Sequence, residues 1–405
     1  MTRKVLPRNS DLRGAVRLAA DATVGITDLV EAVHERIARP PGLRAHESAE
    51  RARGISGFVY KTVRSVTRAV GGSVDGLLRL LEPALNQDDA TPRREAIVAA
   101  LNGVMGDHLA ASANPLATPM ALHRDGRPLV VEATALGAGL PHAGGSLLVL
   151  VHGLCMNDLQ WSRNGHDHGA ALARDLGFTP LYLRYNSGLH ISTNGQALAE
   201  QLEHLLARWP RPVDRLVLLG HSMGGLVARS AVHQAKQAKL HWPSRLSELV
   251  FLGSPHHGAP LERGGHWVDI VLGATPYAAP FARLGQVRSA GITDLRHGML
   301  LDADWKGRGR FVRSEERPHP VPLPRAVRCY AIAASLGRKH GGLKSHILGD
   351  GLVPLDSALG RDADPHRRLV FAKERQWISH STNHLELLSS PKVYAQLLQW
   401  LSSAS

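Results

Sequence analysis

The sequence is poor in the residues that build disulfide frameworks, metal sites and membrane spans. Only two of its 405 residues are cysteine, Cys155 and Cys329, so a disulfide framework is excluded, and neither has the spacing of a metal ligand. No uncharged apolar run reaches the roughly 18 residues that a membrane-spanning helix needs. At the N-terminus, Asp11 and Arg13 interrupt the basic start before an apolar signal core develops. We therefore expect a cytoplasmic protein.

Acidic residues are also scarce relative to basic ones. The chain has 35 Asp and Glu against 48 Lys and Arg, which gives a formal net charge of +13. Such an excess favours anionic partners, either lipid head groups or nucleic acid, although a solvated basic surface accounts for it more simply. Apolar residues make up 43% of the chain, which is enough for a large core, and the length indicates two parts.

The first part, residues 1–118, is predicted to be helical. Apolar residues recur at intervals of three and four in two stripes, 12–37 and 59–81. A third helix is predicted to begin with Thr91 as N-cap and Pro92 at its first position. Its apolar face carries Ile97, Leu101 and Val104. Interleaved basic residues would suit contact with an anionic membrane surface, but packing against the second part is the simpler expectation.

The second part, residues 119–405, alternates short apolar runs with helical segments. The runs are Ser146–Val151, Thr179–Tyr185, Arg215–Leu219, Glu248–Leu252, Ala326–Ala333 and Arg368–Phe371. Between them lie helical candidates such as Gly195–Ala207 and Met223–Gln237. This alternation predicts an α/β fold with a mainly parallel sheet covered by helices on both faces. Residues 256–325 interrupt the rhythm and are long enough to form a helical cap.

A short motif within this part predicts a nucleophile. Residues Gly220–Gly224 fit the pattern G-x-S-x-G, which is weak evidence until its context is considered. The motif directly follows the run ending at Leu219 and leads into the helical segment Leu226–Val232. A strand, a tight turn and a helix are the setting in which a strained turn exposes a nucleophilic serine, and the glycines let the two backbones approach. We predict that Ser222 is the nucleophile.

The same setting predicts two backbone donors for an oxyanion. One amide comes from the residue after the nucleophile, here Met223. The other comes from the loop after an earlier strand, and His152-Gly153-Leu154 follows the first central run, so Leu154 is the predicted donor. Each donor should contribute about 10²–10³ in turnover.

The general base must be chosen from 23 histidines by position. In this fold the chain order is serine, acid, histidine, and the base follows the last strand. His380 and His384 both lie beyond the last predicted strand, Arg368–Phe371. His384 is preferred because it directly precedes the apolar segment Leu385–Leu388, at the entry to the final helix.

The orienting carboxylate should follow the penultimate strand. Asp350 lies there in the glycine-flanked segment Gly349–Pro354, which can direct a carboxylate at the base. The other candidates lie before that strand or farther along the chain: Asp294, Asp302, Asp304, Asp362 and Asp364. We predict Asp350 as the acid.

Five blocks in order resemble lipases and esterases of the α/β-hydrolase fold, in particular bacterial triacylglycerol lipases and inositol-deacylase-like proteins. They are Leu150–Leu154, Gly220–Gly225, Gly253–Gly258, Asp350–Pro354 and Asn383–Leu385. The resemblance covers about residues 145–400. It implies that Ser222, Asp350 and His384 form a catalytic triad and that the segment 256–325 is a lid. The loop after Leu154 lacks the glycines of many relatives, and the N-terminal helices have no counterpart in them.

Two features of the sequence suggest other classes of function, a metal site and a nucleic-acid-binding protein. The pairs His166 with His168 and His256 with His257 suggest metal, but no carboxylate lies at ligand spacing, so no metal or cofactor is expected. A basic run suggests nucleic acid: Lys306, Arg308, Arg310, Arg313 and Arg317. Few aromatics interleave with it, so nucleic acid is not expected as a partner, and neither is a purely basic binding protein. The sequence therefore predicts a serine hydrolase that cleaves carboxylic esters of acyl or lipid substrates. A thioesterase or an acyltransferase would use the same residues.

Overall fold

The structure is a computed structural model of the chain. It describes residues 92–140, 143–259, 289–307, 317–337 and 349–402. The two predicted helical stripes at 12–37 and 59–81 lie outside these residues, as do the 260–288 and 308–316 parts of the predicted cap.

An eight-stranded sheet forms the centre of the described part. Its strands are β1 (Ala121–Arg124), β2 (Arg127–Pro128), β3 (Ser146–Val151), β4 (Thr179–Arg184), β5 (Arg215–His221), β6 (Leu246–Leu252), β7 (Arg328–Ser335) and β8 (Gln376–His380). The spatial order is β2-β1-β4-β3-β5-β6-β7-β8. Strands β3 to β8 are parallel to one another, whereas β1 pairs antiparallel with both β2 and β4. The apolar runs fill the central strands because these are covered on both faces and their side chains leave water in both directions.

Five of the six predicted strands are confirmed, and the sixth is wrong. The run Arg368–Phe371 does not pair into the sheet; the last strand is β8 instead. Leu369 and Phe371 are buried by other contacts, since Leu369 N donates to Gly360 O at 2.8 Å and the Phe371 ring meets that of Phe251 at 5.9 Å. The strand β8 contains both polar and apolar residues. It lies at the edge of the described sheet, where one side remains partly exposed, so a continuous apolar run is not required.

Eight helices accompany the sheet in the described ranges. They are α1 (Pro92–Ala111), α2 (Ala133–Gly139), α3 (His168–Leu176), α4 (Ile191–Arg208), α5 (Met223–Gln237), α6 (Ala290–His297), α7 (Leu355–Ala358) and α8 (Pro391–Ser402). The predicted helix Met223–Gln237 is α5 with the same bounds, and Gly195–Ala207 lies within α4. None of the described helices combines the length and the apolar character needed to cross a bilayer.

Helix α1 is the third helix that the sequence predicts, and it begins at Pro92 as expected. Thr91, its predicted N-cap, lies outside the described residues. Ile97, Leu101 and Val104 are fully buried and belong to the same apolar core as the central strands. This helix therefore packs against the sheet domain. The division of the chain at residue 118 stays a prediction.

Candidate active site

The Ser222 turn joins the end of β5 to the start of α5. Ser222 has φ 54° and ψ −124°, a backbone conformation that costs a non-glycine residue about 1–3 kcal/mol. Its amide donates to Leu252 O at 2.8 Å, which ties the turn to the end of β6. A Cβ added at Gly220 would overlap the backbone of Gly225, and one at Gly224 would overlap the carbonyl of Val151. The turn is strained in the way that the motif predicts, and only glycine fits on either side of it.

Asp350 and His384 are brought together although they are far apart in the sequence. His384 Nδ1 lies 2.6 Å from Asp350 Oδ2. The other carboxylate oxygen, Oδ1, accepts from the amides of Leu352 at 2.9 Å and Val353 at 2.8 Å, which fixes the orientation of the carboxylate. Both side chains are buried, at 3% and 4% residual exposure. With Nδ1 held by Asp350, the Nε2 atom of His384 is the ring nitrogen left for a reacting group.

The His384 ring lies beside the Ser222 turn. A Cβ at Gly253, the residue after Leu252, would lie 3.1 Å from the imidazole of His384. On the other side, the ring of His221 lies 4.8 Å from that of His384, centroid to centroid. No hydrogen bond within the described residues joins the Ser222 hydroxyl to His384. Such bonds are commonly long without substrate and shorten when it binds.

The predicted oxyanion donors lie on either side of the nucleophile. A Cβ at Gly153 would lie 3.1 Å from the Ser222 Cβ, so the backbone leading to Leu154 passes directly beside the serine. Met223 is the first residue of α5, where the amides of a helix have no partner within the helix. Among the described residues, neither the Leu154 nor the Met223 amide donates a hydrogen bond. Both amides could therefore donate hydrogen bonds to an oxygen on which negative charge develops.

The comparisons with known proteins agree with this architecture. Residues 142–322 match the family model described as "PGAP1-like alpha/beta domain". The chain has the α/β-hydrolase fold. The matched segment includes Ser222 but ends before Asp350 and His384, whose pairing is seen in the geometry alone.

Solved structures similar to this hydrolase-fold chain include three enzymes. The mature lipase BlEst2 from Bacillus licheniformis is 19% identical, with 62% of this chain and 91% of that chain covered and a TM-score of 0.38. EstA from Clostridium botulinum is 13% identical, with 65% of this chain and 88% of that chain covered and a TM-score of 0.42. The RedJ thioesterase of Streptomyces coelicolor is 15% identical, with 65% of this chain and 92% of that chain covered and a TM-score of 0.34. Likenesses this distant carry no argument about the chemistry. No curated protein sequence matches the chain.

Helix α1 packs against the loop that carries the predicted donor Leu154, a contact that the sequence did not predict. A Cβ at Gly103 would overlap Cys155, the residue after Leu154. The φ angle of Cys155 is 60°. The amide of Cys155 donates to Ser187 Oγ at 3.0 Å. Burial raises the pKa of the Cys155 thiol to about 12, so it serves as an apolar filler rather than a nucleophile.

His221, the residue before the predicted nucleophile, contacts the loop that carries the predicted base. Its Nε2 lies 3.1 Å from the carbonyl oxygen of His384, so a proton on this nitrogen would be donated to that carbonyl. Complete burial lowers the pKa of His221 well below its usual value, which keeps the ring neutral. The sequence offered one signal for this role, the place of His221 inside the motif, but its partner is revealed only by the folded chain.

The histidine pairs that suggested metal have other partners. His166 Nε2 lies 2.8 Å from His168 Nδ1, and His168 Nε2 lies 2.9 Å from the carbonyl oxygen of Leu387 on the base loop. His256 is buried, and Arg229 Nη1 lies 3.1 Å from its Nδ1. No group of potential ligands that could hold a metal ion occurs in the described ranges.

The alternative acids and the alternative base are engaged elsewhere. Asp294 accepts from the Ile191 amide at 2.8 Å, at the start of α4. Asp302 pairs with Lys306, and Asp304 with His319. Asp362 pairs with Arg317 and Arg367, and the side chain of Asp364 accepts from the His366 amide. The structure brings none of these aspartates to His384. His380 is the last residue of β8, in the sheet rather than on the loop beyond it.

The described part of the predicted cap is anchored on α4. The Trp305 ring stacks on His190 with centroids 3.7 Å apart, and its Nε1 donates to Ser192 Oγ at 2.9 Å. Asp294 accepts from the helix N-terminus nearby, where a negative charge is favoured. The segment 289–307 is therefore fixed to the sheet domain. The basic residues Arg308, Arg310 and Arg313 lie outside the described residues.

Proposed function

We propose that the protein hydrolyses carboxylic esters through an acyl-enzyme on Ser222. The observation that carries the proposal is the Asp350–His384 hydrogen bond beside a strained serine turn. A serine hydroxyl is a weak nucleophile until a base removes its proton, and an oriented imidazole supplies that base. Ser222 follows β5 at its carboxyl end, and the ring of the preceding residue, His221, lies 4.8 Å from that of His384.

In the first half of the reaction, Ser222 Oγ attacks the acyl carbon while His384 Nε2 takes the hydroxyl proton. The carbonyl oxygen becomes an oxyanion and accepts hydrogen bonds from the amides of Leu154 and Met223. His384 then returns the proton to the leaving oxygen, the alcohol departs, and the acyl group stays on Ser222. Asp350 holds Nδ1 throughout and stabilises the imidazolium that forms.

In the second half, water replaces the alcohol. His384 Nε2 takes a proton from the water as its oxygen attacks the acyl carbon. The second oxyanion uses the same two amides, and its collapse returns the proton to Ser222 and releases the carboxylic acid. A thioester follows the same route with a thiol as leaving group, so the leaving group is a question for experiment.

The test is esterase turnover with p-nitrophenyl esters from acetate to palmitate and one acyl thioester. Ser222→Ala should lower turnover by roughly 10⁴-fold or more, and it should abolish labelling by a fluorophosphonate probe. Ser244→Ala, at an exposed serine, is the matched control and should label like the wild type. Undiminished labelling of a folded Ser222→Ala protein would refute the assignment. The profile over chain lengths and leaving groups defines the substrate class.

A further inference from the structure

A cavity of about 780 Å³ lies along β8. The residues that matter for its chemistry are Arg361, Lys373, Trp377, His380, Ser381 and Lys392. They come from separate segments: the stretch after α7, the turn before β8, β8 itself and the first turn of α8. No mechanism step proposed above uses this cavity.

The charge of the cavity has one sign. Arg361, Lys373 and Lys392 are exposed cations on its wall, and among the described residues no aspartate or glutamate lines it. Arg361 is 3.4 Å from Asp356 in an exposed pair of the kind that contributes little. Neither lysine has an ion pair among the described residues. Cations gathered around one concavity repel each other, and a bound anion would remove that repulsion.

Further groups of the wall suit an anion attached to an organic body. His380 Nδ1 is buried and has no hydrogen-bond partner. The half-buried ring of Trp377 offers apolar surface for the uncharged part of a ligand. A carboxylate would neutralise only one of the three cations, whereas a phosphate carries up to two charges and accepts hydrogen bonds on several sides. Lysine binds phosphate as a point charge from any direction.

We propose that this cavity is a binding site for a phosphate-bearing anion. The phosphate group contacts Lys373, Lys392 and Arg361, and the organic body of the ligand packs on Trp377. Two residues of its wall belong to the chain segments that carry the proposed triad, since Arg361 follows the Asp350 segment and Ser381 precedes His384. The shared chemistry is the phosphate, which either a phospholipid head group or a small soluble phosphate would supply.

The experiment uses the full chain and measures binding of inorganic phosphate by calorimetry and by the rise in Tm, against chloride at equal ionic strength. The double variant Lys373→Glu with Lys392→Glu should lower the affinity at least about tenfold, because two charge-assisted contacts become repulsive. The matched control, Lys236→Glu with Lys239→Glu, makes the same charge change at two exposed lysines at the end of α5. It should bind phosphate like the wild type.

A second arm identifies the source of the phosphate. Phosphatidylcholine vesicles with and without phosphatidic acid are sedimented with each protein, and circular dichroism confirms that each variant is folded. Association with the acidic vesicles that the Lys373/Lys392 variant loses supports the site and assigns a lipid head group. Phosphate binding without vesicle association supports the site and assigns a soluble phosphate. The proposal is overturned if the wild type shows neither, or if the control variant loses as much as the test variant. Since ester turnover is not the readout, this outcome is independent of the triad.

Discussion

The Ser222 turn and the cavity along β8, called the β8 margin below, belong to one sheet but are separated by β6 and β7, and they are built on different principles. At the turn, backbones meet so closely that a Cβ at Gly220 or Gly224 would overlap main-chain atoms. At the margin, the exposed cations Arg361, Lys373 and Lys392 line an open cavity. Packing therefore determines the first region, and charge the second. We expect activity to depend on single atoms at the turn, and binding at the margin to depend on salt and net charge.

The largest expected effect is on ester turnover and tests the role of the Ser222 turn and its base. His384→Ala removes the base, and turnover of a p-nitrophenyl ester should fall by roughly 10⁴-fold or more. His380→Ala removes a ring that lies on β8 and contacts neither Asp350 nor the turn, so its loss should be far smaller. Initial rates of the two variants at equal protein concentration give the ratio. Equal losses would mean that the hydrogen bond between Asp350 and His384 does not mark the working base.

A second effect tests how closely α1 must fit the oxyanion loop. Gly103→Ala would place a methyl group against Cys155, and overpacking of this kind costs about 1–3 kcal/mol of unfolding free energy. It should also displace Leu154 and lower kcat more than it raises KM. Gly137→Ala in α2 is the control, because nothing lies within 4 Å of the added Cβ, and helix propensity should make that variant slightly more stable. A Gly103→Ala protein with unchanged Tm and kcat would separate α1 from the active site.

A third effect concerns the pH dependence of stability. Burial lowers the pKa of His168 from 6.5 to about 4, so its ring is neutral in the folded chain where the unfolded chain would protonate it. The stability that it contributes is complete above pH 6.5 and is lost as pH falls from about 6.5 to about 4, by roughly 3 kcal/mol. His152, whose pKa burial also lowers to about 4, acts in the same direction.

The measurement is urea unfolding between pH 7.5 and 4. His168→Gln should lose about 3 kcal/mol less than the wild type over this range. His204→Gln, at an exposed position on α4, should follow the wild-type curve. Parallel curves for His168→Gln and the wild type would show that His168 is not a neutral group buried by folding. At the β8 margin, by contrast, the proposed phosphate binding should respond to ionic strength because its cations are exposed.

Much of this protein follows from its sequence by itself. Strand, turn and helix around Ser222 are local and lie within a short stretch of chain, so pattern and glycine placement sufficed to predict them. The start of α1 at Pro92 and the bounds of α5 are local in the same sense. Apolar runs predicted the central strands because such strands are buried on both faces, where most side chains are apolar. Glu248 on β6 is an exception: it is buried but pairs with Arg215.

Contacts between segments that are distant in the chain became visible in the folded structure. It placed the last strand at β8 rather than at Arg368–Phe371, because an edge strand is half exposed and shows no apolar run, whereas Leu369 and Phe371 are buried outside the sheet. Chain order and strand position predicted Asp350 and His384, but only the folded chain shows that the carboxylate reaches the ring, with Asp350 Oδ2 2.6 Å from His384 Nδ1. The same holds for Gly103 behind the oxyanion loop and for the cations that converge on β8. In each case the partners are set by how the elements pack, and a linear sequence does not display that packing.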